Sequence, residues 1–103
     1  MKETDLRELP QNAAILRLIY EIAAFRTTGE KVIKVIHGEK LSPVIRREIR
    51  RMRREGRVSF LIPGEVFGQE ETVTRYLLNK YPENEGDADM DAKNPTLTVV
   101  GLP

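Results

Sequence analysis

Between Gln11 and Thr28 the apolar residues Ile15, Leu18, Ile19 and Ile22 recur at helical spacing and fall on one stripe, with Arg17, Tyr20 and Glu21 on other faces. This predicts a helix, and Gly29 stands where a helix-closing residue is wanted. The period then changes. Lys31-Val32-Ile33-Lys34-Val35-Ile36-His37 is rich in β-branched residues and apolar on both parities, so it reads as an interior strand buried on both faces and ended by Gly38. Ser42-Pro43 has the chemistry of a helix start, because Ser caps orphan amides and Pro fits the first helical position. A second helix is expected from there to Glu55, with Ile45, Ile49 and Met52 together on its wheel and Arg47, Arg50 and Arg54 opposite them.

Arg57-Val58-Ser59-Phe60-Leu61-Ile62 is a third extended run, and the Pro63-Gly64 that follows suits a type II turn. Val73, Tyr76 and Leu77 predict a short third helix around Glu70 to Tyr81. Pro82 to Pro95 carries five acids and only Met90 as an apolar anchor, which predicts a solvated, flexible acidic loop. Thr96 to Leu102 is a last strand, and a weak first one lies near Glu3 to Arg7. The order β-α-β-α-β, short helix, acidic loop, β predicts one α/β domain over residues 1–103. Its expected form is a two-layer sandwich on a mixed, mostly parallel four-stranded sheet, with helices covering at least one face.

Composition removes several function classes. Zero Cys excludes disulfide scaffolds and thiolate chemistry, and a single His excludes multi-histidine metal sites. No apolar run approaches the ~20 residues of a membrane span, and the N-terminus lacks the apolar stretch of a signal peptide, so a soluble cytoplasmic domain without membrane contact is expected. The net charge of +1 conceals a sorting. Residues 1–41 hold 7 basic and 6 acidic groups, residues 42–57 hold 7 and 2, and residues 58–103 hold 3 and 8. Six guanidinium groups lie between Arg46 and Arg54, and Arg favours bidentate phosphate contact. The sorted charges also invite the acidic loop to fold back over the arginine helix and compete with an anionic ligand. Asp87, Asp89 and Asp91 imitate the opening of a calcium loop, but Ala92 and Thr98 stand at its sixth and twelfth positions, where Gly and Glu are required.

In parallel α/β units the carboxyl ends of the strands gather functional groups, and helix N-termini point at the same edge. That edge takes Asp5, Leu6 and Arg7 from the first strand and His37, Gly38 and Lys40 from the second. Asp5-Leu6-Arg7, then a helix, then Val35-Ile36-His37-Gly38, then a basic helix and a final Thr-x-Val-Val strand resemble the Smr domain, the small MutS-related module found at the C-terminus of MutS2 proteins. Two departures stand out: Glu8 and Lys40 occupy positions where that family's motifs carry Gly.

The resemblance implies an α/β sandwich that binds DNA or RNA, with members that nick or cleave it and some that act on messenger RNA at stalled ribosomes. Carried over, it makes Asp5, Arg7, His37 and Gly38 the candidate site, with His37 and Asp5 in the catalytic roles and Mg2+ as a cofactor if cleavage occurs. Arg7, His37, Gly38, Lys40, Arg46, Arg47, Arg50, Arg51 and Arg54 are the expected nucleic-acid contacts. Glu8 and Lys40 crowd the backbone where a phosphate would approach, so binding is expected to survive more readily than cleavage. The alternative is a protein-interaction module whose basic helix docks on an acidic partner or on its own acidic loop.

Overall fold

The two segments that are apolar on both parities become the central strands of the sheet. The computed structural model describes residues 1–69 and 71–103, in the order β1 (Lys2–Asp5), α1 (Gln11–Thr27), β2 (Val32–Ile36), α2 (Gly38–Arg54), β3 (Phe60–Pro63), a 3-10 turn (Gly64–Val66), α3 (Glu71–Lys80), a second 3-10 turn (Pro82–Asn84) and β4 (Leu97–Gly101). The strands lie in the order β1-β2-β4-β3. β1, β2 and β3 share one direction and β4 alone opposes it, so the sheet is mixed. Because β4 is inserted between β2 and β3, only the β1–β2 pair is parallel.

Alternation along the two central strands divides the core. Ile33, Val35, Val100 and Leu102 pack with Leu18 and Ile22 of α1 and with Ile45, Ile49 and Met52 of α2. Val32, Leu97 and Val99 face the other way, toward Ile62, Phe67 and Leu77. The α1 and α2 layer is the one that the βαβαβ pattern requires. α3 adds partial cover to the second face, where Met90 also packs.

Three expectations need correction. α2 begins at Gly38, five residues before Pro43, which lies inside the helix. The reason is a junction with no loop: Thr96 O accepts from both the His37 and Gly38 amides, and Gly38 turns the chain at φ +76°, a left-handed backbone open to glycine. At Pro63-Gly64 the chain enters a 3-10 turn instead of a type II turn. The expected start of α3 at Glu70 lies outside the described residues.

The third concerns the direction of the acidic segment. Residues 82–92 form successive turns closed by backbone bonds such as Asp87 N to Asn84 O and Met90 N to Asp87 O, and Asp91 N bonds Phe67 O. The segment is anchored by Lys34, whose Nζ donates to Asp87 Oδ1 at 2.9 Å and Asp89 Oδ2 at 2.5 Å. Lys34 sits on the parity of Val32 and Ile36, so the acids lie on the sheet face opposite the arginine helix. They do not fold over α2.

Candidate nucleic-acid interface

β1 and β2 end side by side, with Asp5 in register with Ile36 and Leu6 N bonded to Ile36 O at 2.7 Å. The structure therefore brings Asp5, Arg7 and Gly38 to one edge. Arg7 folds back on Asp5: its Nε donates to Oδ1 at 3.0 Å, its Nη2 to Oδ2 at 2.6 Å and its own amide to Oδ1 at 3.0 Å. These bonds hold the exposed Asp5 carboxyl below its ordinary value. The Arg7 stem also covers Gly38, where an added Cβ would sit 3.6 Å from Arg7 Cγ. Both oxygens of the Asp5 carboxylate already accept from a guanidinium, and no group of three or more His, Cys, Asp or Glu gathers around a common point among the described residues. That donor set does not suit Mg2+.

His37 turns inward and is only 1% exposed. Its Nδ1 lies 2.8 Å from Gly38 O and its Nε2 lies 2.9 Å from Thr98 Oγ1, which also accepts from Arg46 Nε at 2.9 Å. The donors and acceptors fix the tautomer. A carbonyl only accepts, so Nδ1 carries the proton; Nε2 then accepts from the Thr98 hydroxyl. The chain of bonds runs from Arg46 through Thr98 and His37 to Gly38, which ties α2 to β4 and to its own first turn. Burial, reinforced by the charge of Arg46 and only partly offset by Gly38 O and Glu65, holds the imidazole pKa below its ordinary value. His37 is a neutral, enclosed hydrogen-bonding group.

The arginines of α2 divide into three groups. Arg46 is buried, with Nη1 and Nη2 on the Glu65 carboxylate at 2.9 and 2.5 Å and Nη2 also on Leu97 O at 3.0 Å. Arg51 is held by Glu48 at 2.7 Å and Glu55 at 3.3 Å. Arg47, Arg50, Arg53 and Arg54 are exposed and have no carboxylate within 4.0 Å among the described residues. Arg47, Arg50 and Arg54 share the solvent face with exposed Lys40, a cationic line about 21 Å long at 1.5 Å per residue. Lys40 sits in the first turn of α2, beside the Asp5–Arg7 edge.

Sequence reasoning thus placed Arg47, Arg50, Arg54 and Lys40 on one surface with the strand-end edge. The sequence groups Arg46 and Arg51 with them, whereas the structure gives these two carboxylate partners. It overlooked Lys34, Glu65 and Thr98. Two signals were available: a polar residue at the centre of an otherwise apolar interior strand, at Lys34 and again at Thr98, requires a partner. A hollow of about 390 Å³ lies elsewhere, along α3, lined by Gly68, Thr74, Arg75, Leu78, Asn79 and Glu85.

The arrangement defines a small α/β domain with a helix-covered mixed sheet and a line of exposed cations on one helix, and no described helix is long and apolar enough to cross a membrane. Its fold is similar to that of the crystal structure of the Smr domain of Thermus thermophilus MutS2, with a TM-score of 0.66, 22% identity, and coverage of 100% of this chain and 99% of that one. The chain has an Smr-like fold, as the motif order led one to expect. No family model and no curated protein matches the sequence.

Proposed function

We propose that the domain binds nucleic acid through its phosphate backbone, with Lys40, Arg47, Arg50 and Arg54 as the principal contacts and Arg7 extending the surface at the strand-end edge. One observation carries this reading: guanidinium groups three and four residues apart on α2 stand exposed with no carboxylate within 4.0 Å among the described residues, while the acidic segment that could have neutralised them is tied to Lys34 on the opposite face. Like charges at this spacing repel, and an anion along the line relieves that repulsion. A line of cations about 21 Å long, at 1.5 Å per residue, suits an extended polyanion better than a small anion. The Smr-like fold and its motif order agree with the same reading.

Binding without hydrolysis is the form the geometry favours. A general acid or base must reach the proton it transfers, but His37 is enclosed with both ring nitrogens bonded. Asp5 is engaged by Arg7. The role left to His37 is to hold the β2–α2 junction, and through it the start of the cationic line.

The test is the equilibrium binding of a fluorescent single-stranded RNA and a matched duplex DNA over a salt series, with Mg2+ present and the products run on a gel. For four or five phosphates the logarithmic slope is expected to be about −3 for the single strand and about −4 for the duplex, with both ligands intact. Fragments that vanish in His37→Ala would overturn the non-catalytic reading. Absence of binding at low salt would overturn the proposal and leave the cations to an acidic protein partner.

A further inference from the structure

Asp5 and Glu65 each hold an arginine through both carboxylate oxygens, but the two pairs are built differently. Asp5 and Arg7 both face water. In the second pair Arg46 is the inner partner, its side chain 11% exposed, and Glu65 is the outer one, at 40%. β3 runs in the direction of β1 and β2, so the Gly64–Val66 turn that carries Glu65 opens on the same strand-end edge as Asp5 and Gly38.

Arg46 is held in place without Glu65. Its Nε donates to Thr98 Oγ1 and its Nη2 to Leu97 O, both on β4, so the guanidinium is fixed with its remaining N–H groups aimed outward at Glu65. Glu65 has no comparable anchor. Among the described residues its carboxylate accepts from no side chain but Arg46, and it lies on the water side of the pair. Turning it outward therefore bares a fixed, planar donor fork, the geometry that takes a phosphate by two bonds.

The flank of α2 on which this fork lies carries more cations. Arg50 and Arg53 stand four and seven positions after Arg46, within about 60° of it around the helix and over about 10.5 Å along it. Both are exposed and have no carboxylate within 4.0 Å among the described residues. A phosphate seated at Arg46 would have Arg50 beside it.

We propose that Glu65 is an intramolecular competitor for one phosphate of the ligand: while its carboxylate fills the Arg46 fork that contact is withheld, and when it leaves, Arg46 joins the cationic line. This rests on the nucleic-acid reading above. Glu65 thereby sets the affinity of the surface below what its arginines could give.

The test is duplex DNA binding over a salt series by the wild type, Glu65→Gln, Glu65→Asp and Glu83→Gln. Glu65→Gln is expected to bind about tenfold more tightly at low salt, the worth of one charge-assisted contact, and to steepen the logarithmic salt slope by about 1. Glu65→Asp keeps the charge beside the guanidinium but is one methylene short of it, so it secures the fold and is expected to fall between the two. Glu83→Gln removes the same charge from an exposed site on the acidic segment, and its slope is expected to match the wild type. The Arg46 Nε–H resonance is expected to move on duplex addition in Glu65→Gln and to stay in place in the wild type. Wild-type binding with an unchanged slope and a stationary Arg46 resonance in Glu65→Gln would overturn the competitor role and leave the nucleic-acid reading standing. Equal tightening by Glu83→Gln would reduce the effect to net charge and overturn it as well. No binding by any of the four proteins would overturn the nucleic-acid reading, and this inference with it.

Discussion

Arg46 lies only one position from Arg47, yet the two do opposite things, because 100° of rotation separates a flank that reaches β4 from a face that meets water. The buried Thr98 hydroxyl and Leu97 carbonyl on β4 need donors, and the Arg46 guanidinium supplies them while Glu65 answers its charge and is itself drawn below the ordinary carboxyl value. Nothing in the helix repeat distinguished Arg46 from its neighbours; the polar Thr98 inside an apolar strand was the available sign. His37 completes the same network and makes it sensitive to pH. Its folded pKa lies below the ordinary 6.5, so the unfolded chain takes up the proton first. The stability it contributes is complete above about pH 6.5 and is lost as pH falls toward the folded value. Asp5, Glu55, Glu65 and Asp87 are depressed as well, but from ordinary values of 3.8 to 4.5, so their contribution is lost only at lower pH. Urea unfolding of the wild type should therefore give a lower midpoint at about pH 5.5 than at about pH 7.5, and His37→Gln should flatten that difference. Equal wild-type midpoints would contradict the burial of a neutral imidazole.

At the scale of elements, what could be read in advance was what periodicity encodes. α1, β2 and β4 fall within a residue or so of their expected bounds, since a clear stripe or a two-parity apolar run fixes each. Junctions were less legible, because tertiary contacts decide them. Ser42-Pro43 is a sound local helix start, but the Thr96 carbonyl draws two amides at residues 37 and 38 and starts α2 earlier, with Pro43 carried inside. Pro63-Gly64 is a sound local turn, but here glycine serves close approach. A Cβ on Gly64 would stand 2.1 Å from Asn94 O and 2.7 Å from Leu97 O, where the chain entering β4 crosses the end of β3. Gly64→Ala is accordingly expected to cost about 3 kcal/mol, the upper part of the overpacking range, since backbone and not a movable side chain must give way. Chemical denaturation would read it, and a change below about 0.5 kcal/mol, as at an ordinary surface site, would contradict the crossing.

Across the whole molecule, a chain of net charge +1 sets a line of arginines along one helix and holds its acidic segment on the opposite face of the sheet. The imbalance was legible in the sequence, but the direction of the acidic segment was not. Burial alone would lower the pKa of Lys34, but Asp89 and Asp87 outweigh it and the net direction is upward. That clamp sends the acids to the sheet face away from α2 and leaves the arginine line open. The measurement closest to this claim is the salt dependence of duplex DNA binding by the wild type and by a variant combining Arg47→Ala, Arg50→Ala and Arg54→Ala. All three side chains are exposed, so thermal stability should stay near that of the wild type while the logarithmic salt slope becomes shallower by about 3, roughly one unit for each lost phosphate contact. An unchanged slope and affinity in a folded variant would place the nucleic-acid surface elsewhere and contradict the account.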